Sequence, residues 1–115
     1  MIMKKGVARA GDVVSGICYH PSHVDDKGNP SPVSAKGIIG MGMPDVFTNG
    51  KTTACHTVRV RTPLGHYGEI TEFSSSVFVT FWSSWGVARV GDSVGGVGDF
   101  VGTIDANSSN VYCGG

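Results

Sequence analysis

The chain has 115 residues, nine Lys and Arg against nine Asp and Glu, and 18 glycines. Balanced charge excludes the clustered basic surface that a nucleic-acid groove needs. The longest apolar stretch, around Val77 to Trp82, is too short to span a bilayer, which excludes an integral membrane protein built on helices.

The length fits one domain, residues 1–115, whose small core calls for help from a metal, a disulfide or a partner. Lys4 and Lys5 lead into Gly6, Arg9 and Asp12 rather than an apolar run, so no secretory signal is read and synthesis in a cytoplasm is expected. In a reducing compartment Cys18, Cys55 and Cys113 read as thiols or metal ligands before disulfides. Valine, isoleucine, threonine and aromatics fill the ordered-looking stretches, a β composition with many turns.

The elements repeat in chain order. Val7-Ala8-Arg9-Ala10-Gly11-Asp12 opens the chain, and a long loop from Ser15 to Lys36 follows. Pro30 and Pro32 keep that loop from becoming a central strand, and Val24 to Pro30 has room for a turn of helix. Gly37-Ile38-Ile39 then runs six residues on to Val46-Phe47, and Asn49-Gly50 predicts a type I′ hairpin turn. Ala54-Cys55-His56-Thr57-Val58 takes the place of the opening marker, with Cys55 where Arg9 stood. Gly68-Glu69-Ile70 runs on to Val77-Phe78 through a turn at Ser74-Ser75-Ser76. Val87-Ala88-Arg89-Val90-Gly91-Asp92 restates the marker, and Gly102-Thr103-Ile104 runs on to Val111-Tyr112 through a turn at Asn107 to Asn110.

Three β units of this size cannot each bury an apolar face, so they are expected to pack around a shared pseudo-threefold axis where their valines and isoleucines meet. The fold class is all-β: a small pseudo-threefold cone of three short repeats. Arg9 with Asp12, and Arg89 with Asp92, read as turn chemistry with exposed charge and little stabilisation. Gly95-Gly96-Val97-Gly98 lacks the lysine and the following helix of a phosphate loop. Phe81, Trp82 and Trp85 crowd a three-residue insertion that breaks the repeat, and read as a contact surface.

All four histidines and two cysteines lie between Cys18 and His66. His20 follows Arg9 by the same interval as His66 follows Cys55, and Phe100 follows Arg89, with Asp99 beside it. Two imidazoles near one axis, with a thiolate or a third imidazole, make a tetrahedral zinc or iron site. The ligand set expected is Cys18, His20, His56 and His66, with His23 and Asp99 competing for the last place. Cys55 and His56 point to opposite faces of a strand, so both cannot serve one ion. Cys113 reads as a free thiol.

Val46-Phe47-Thr48-Asn49-Gly50-Lys51, followed by Thr52-Thr53-Ala54, and Gly86 to Asp92 resemble the PAAR repeat, over nearly the whole chain from Val7 to Tyr112. Thr52-Thr53-Ala54-Cys55 departs from the P-A-A-R of that family's signature. The resemblance implies a β cone seated on a trimeric β-helical spike, VgrG-like or a phage central spike, one tip per trimer, with one structural metal ion, typically zinc, near the point. It implies a structural and not an enzymatic role, and transient contact with a target cell envelope. The place expected is a phage tail baseplate, or alternatively a bacterial cytoplasm followed by type VI secretion. With the sequence ending at Gly115, a fused toxin domain is not expected. The alternatives are a metal-stabilised adaptor for another partner and a small zinc enzyme, the latter lacking a general-base carboxylate beside a ligand.

Overall fold

The computed structural model describes residues 5–44, 46–107 and 111–113, and the backbone alone of Phe81. Twelve strands form in chain order: β1 Lys5–Gly6, β2 Val13–Cys18, β3 Val33–Ile39, β4 Phe47–Thr48, β5 Lys51–Thr52, β6 Arg59–Arg61, β7 Tyr67–Ile70, β8 Phe78–Phe81, β9 Ser83–Gly86, β10 Ser93–Gly95, β11 Phe100–Ile104 and β12 Tyr112–Cys113. There is no helix among the described residues. Three hairpins, β2–β3, β6–β7 and β10–β11, close into a six-stranded barrel in the order β10-β11-β2-β3-β6-β7. Three two-stranded ribbons, β12–β1, β4–β5 and β8–β9, flank it.

The repeat is written into the backbone. Ala8 N–H donates to Ala88 C=O, Ala54 to Ala8 and Ala88 to Ala54, each at 2.9 Å, a closed ring about the pseudo-threefold axis. Gly11, Thr57 and Gly91 N–H donate to the carbonyls of Ile39, Ile70 and Ile104, all at 2.8 Å. The carbonyls of Val46, Val77 and Val111 accept from Thr53, Val87 and Val7. Seams between neighbouring units keep one register, pairing Ile39 with Val60, Ile70 with Val94 and Ile104 with Val14.

Side chains stack in the same triples. Ala8, Ala54 and Ala88 are buried, as are Val14, Val60 and Val94, and Ile39, Ile70 and Ile104. Phe100 breaks the symmetry by filling the barrel alone toward the hairpin loops. It bears on two of the three repeated glycines: a Cβ at Gly37 would meet Val60 Cγ1 at 2.6 Å and the Phe100 ring at 2.9 Å, and one at Gly68 would run into the Phe100 carbonyl, whereas one at Gly102 would run into the Ser15 carbonyl.

Several sequence expectations change here. The long first loop shrinks to residues 19–32, because Ser15 to Cys18 and Val33 to Lys36 are paired strand. Val24 to Pro30 closes through an antiparallel bridge rather than a helical turn, with Asp25 Oδ1 accepting from Lys27 and Asn29 N–H. The Asn49-Gly50 hairpin forms as expected, with both residues at positive φ. The turn read at Asn107 to Asn110 lies mostly outside the described residues. The Arg–Asp pairs are not exposed. Arg89 Nε and Nη2 donate to both Asp92 oxygens at 2.9 and 3.0 Å, and the Asp92 side chain is fully buried. Arg9 grips Asp12 in the same way. In the middle unit the two places are taken by Cys55 and Val58, so an apolar pair stands in for the ion pair.

The same comparison exposes one strained position. Gly11 and Gly91 sit at φ +88° and +87°, and the equivalent Thr57 sits at +71°. A β-branched side chain costs about 1–2 kcal/mol in this region, and glycine's extra freedom when unfolded returns part of that gain. Thr57→Gly is therefore expected to stabilise the protein by about 0.5–1 kcal/mol, read as a raised denaturation midpoint with an unchanged slope.

Candidate metal centre

The hairpin loops 19–32, 62–66 and 96–99 gather at one end of the barrel, because each barrel hairpin turns there. Cys18 is the last residue of β2 and points inward, opposite Phe100 on β11. His66 lies just before β7, two residues ahead of Gly68, the place held by Phe100 ahead of Gly102 and by Ala35 ahead of Gly37. It is therefore an inward position of the barrel. His23 enters from the first loop, held by its N–H to the His20 carbonyl at 3.0 Å.

Cys18, His23 and His66 offer donor atoms that all lie within 4.8 Å of one another. Cys18 Sγ is 3.1 Å from His66 Nδ1. Donors on one tetrahedral zinc stand roughly 3.3–3.8 Å apart, given metal–ligand lengths near 2.0–2.3 Å, so small adjustments bring these three into place. The His23 Nε2 atom is buried without a hydrogen-bond partner. An imidazole nitrogen left so is costly unless something occupies it. A thiolate and two imidazoles are the soft-to-borderline donors that hold a transition metal, and this group can hold a metal ion. His66 is held below its usual range, first by desolvation and then by His20 and His23, against a smaller opposing pull from Asp99. The neutral ring that a metal requires is thus favoured.

Comparison with family models, with curated proteins and with solved structures finds no match for this chain.

Two other expected ligands stand apart from this group. The His20 ring stacks on His66 with centroids 3.9 Å apart and planes 5° apart, and its Nδ1 accepts from Ser22 N–H. The donor atoms of His20 fall outside the group of three, its ring lying flat against that of His66. His56 lies elsewhere, its ring 4.5 Å from Phe73 and 5.2 Å from Trp85, with Nδ1 accepting from Gly86 N–H. Cys55 is buried in a cluster with Val7, Val79 and Val87, while His56 opens the turn that follows and packs away from it, so the two do not serve one site. Burial pushes the Cys55 thiol up to about 11, the state of an inert buried side chain. Cys55 and Cys113 are both free and buried.

His23 is the residue that interval counting undervalued. Counting forward from Arg9 crosses the enlarged loop and lands on His20. Counting back from Gly37 reaches Ala35 as the true partner of His66 and Phe100. No interval could find His23, because its loop has no counterpart in the other two units.

Proposed function

We propose that this chain is a PAAR-like tip that caps a trimeric β-helical spike of a contractile injection machine, a phage tail baseplate first and a type VI secretion system as the alternative. The observation carrying this reading lies at the end of the barrel away from His66. There the equivalent residues Phe47, Phe78 and Tyr112 are 63%, 49% and 59% exposed. Three large side chains repeated about one axis suit a partner that presents the same surface three times, and an exposed apolar set of this kind marks a contact. The short ribbons bearing them carry strand edges that a β-helical end can extend.

The opposite end supplies the point. One ion, zinc by its donors and iron as the other candidate, would tie the end of β2, the first loop and the second loop of a small core together. Such a cross-link stiffens a tip that meets a cell envelope, and the role asks for no catalysis.

Native mass spectrometry with a trimeric β-helical spike tests the proposal. One cone per trimer is expected. Phe78→Asp with Tyr112→Asp should weaken binding at least tenfold, since buried aromatic anchors are worth about 2 kcal/mol or more, without lowering the melting temperature. Failure to bind any such trimer, or binding that ignores both changes, would contradict it. Capture of a partner without threefold symmetry would favour the adaptor.

A further inference from the structure

The three ribbons are not equal. β4–β5 and β12–β1 pair two residues on each strand, while β8–β9 pairs four, from Phe78 with Gly86 to Phe81 with Ser83. One face of the long ribbon is committed to the core. Val79 and Trp85, a cross-strand pair, pack in the cluster of Val7, Cys55 and Val87. Side chains alternate along a strand, so Phe78 and Thr80, with Ser84 across from Thr80, take the other face, and all three are exposed. Gly86 lies across from Phe78, and a Cβ there would run into the Phe73 ring, so Phe73 covers the ribbon beside Phe78. The ribbon thus carries two partly exposed phenyl rings at its base, two small hydroxyl residues at its middle and Trp82 at its apex.

Trp82 is 96% exposed and sits at φ +64°. The apex of β4–β5 carries Asn49-Gly50, residues that positive φ favours. A bulky side chain in this region is an outlier, and at this exposure core packing does not hold it there. Such an outlier points to function. Its place narrows the partner. The ribbon starts at Phe78, one of the three equivalent aromatics at the end of the barrel away from His66, and the apex stands about 13 Å further along, at roughly 3.3 Å per residue. The surface is therefore continuous with the threefold set. The other two ribbons have no counterpart of this length, so its contact falls on one chain of a trimer only.

We propose that the outward face of β8–β9, with Trp82 as its anchor, docks on the side of one spike chain, next to the end face that Phe47, Phe78 and Tyr112 meet. This rests on the spike-tip reading above. Thr80 and Ser84 let the partner surface approach between the two aromatic ends, and Trp82 fills an apolar recess beyond the end face, as aromatic anchors do. The complex is then asymmetric: three equivalent side chains meet three chains, and the tryptophan meets one.

The test uses the full chain and a trimeric β-helical spike. Trp82→Asn, which puts a residue suited to positive φ at the apex, should weaken binding about tenfold without lowering the denaturation midpoint. A photo-cross-linking benzoylphenylalanine in place of Trp82 should capture one spike chain per trimer, at residues outside those captured by the same group in place of Phe78. Spike binding that is lost with Phe78→Asp and Tyr112→Asp but ignores Trp82→Asn, with no cross-link from the apex, would overturn this proposal alone. Trp82-dependent binding to phosphatidylethanolamine–phosphatidylglycerol vesicles, with spike binding indifferent to Trp82, would make the ribbon a membrane contact and overturn it as well. A chain that binds no such trimer would overturn the spike-tip reading, and this proposal with it.

Discussion

Asp92→Val is expected to cost about 3–5 kcal/mol, the usual penalty for stripping one partner from a buried ion pair, and adding Arg89→Cys should restore more than half of it. The single change leaves the Arg89 guanidinium, 5% exposed, without the carboxylate that takes both of its short hydrogen bonds. It also frees the Arg89 N–H, which donates to Asp92 Oδ2 at 2.8 Å. An arginine side chain keeps its proton at any ordinary pH even without a partner, so no neutral form relieves the loss. The double change reproduces Cys55 and Val58, the pair that the middle unit already carries at the equivalent places in the same backbone ring. Buried ion pairs replaced whole by apolar residues are often neutral, while broken ones are not. Denaturant unfolding of the two single variants and the double variant gives the coupling directly. Additive losses would mean that the middle unit's apolar pair depends on features the third unit lacks.

Removing the metal should have the second large effect. An ion that binds only the folded chain stabilises it by about 2.7 kcal/mol at a hundred times its Kd and about 4.1 kcal/mol at a thousand times. For a domain of this size each kilocalorie moves the melting temperature by roughly 4–8 °C. Chelation should therefore lower it by roughly 10 °C or more, and zinc should restore it. His66→Ala should melt close to the chelated wild type and respond little to chelator, because it removes an inward ligand on the second hairpin loop. His56→Ala should respond to chelator as the wild type does, since its ring packs on Phe73 and Trp85 instead.

The fold was legible because the repeat carries geometry as well as composition. The isoleucine of each G-x-I unit accepts the same backbone hydrogen bond, and the valine seven positions later accepts another. Equal spacing in sequence thus became equal position about an axis. The Arg–Asp pairs were misread because charged residues are seldom buried, and nothing in a sequence shows that a bidentate partner waits three residues on. The metal cluster was legible as a neighbourhood but not as a ligand set. Cys18 and His66 lie on or beside strands whose alternation fixes their direction, so the sequence could point to them. His20 and His23 share a loop whose path depends on the Asp25 turn and the Val24–Pro30 bridge. The aromatic insertion divided as well. Trp82 stands 96% exposed at the β8–β9 turn, while Trp85 packs against the buried cluster of Val7, Cys55 and Val87. The insertion thus splits between one exposed tryptophan and one packed on the core.

The central claim is a threefold cone pinned at its point by one ion. Elemental analysis of the purified chain, beside Cys18→Ser, His23→Ala, His66→Ala and His56→Ala, tests it most directly. About one transition-metal ion per chain is expected, zinc by its donor set, lost in the first three variants and kept in the last. A wild type without metal, or one whose metal survives loss of His23 and His66 but not of His56, would contradict it.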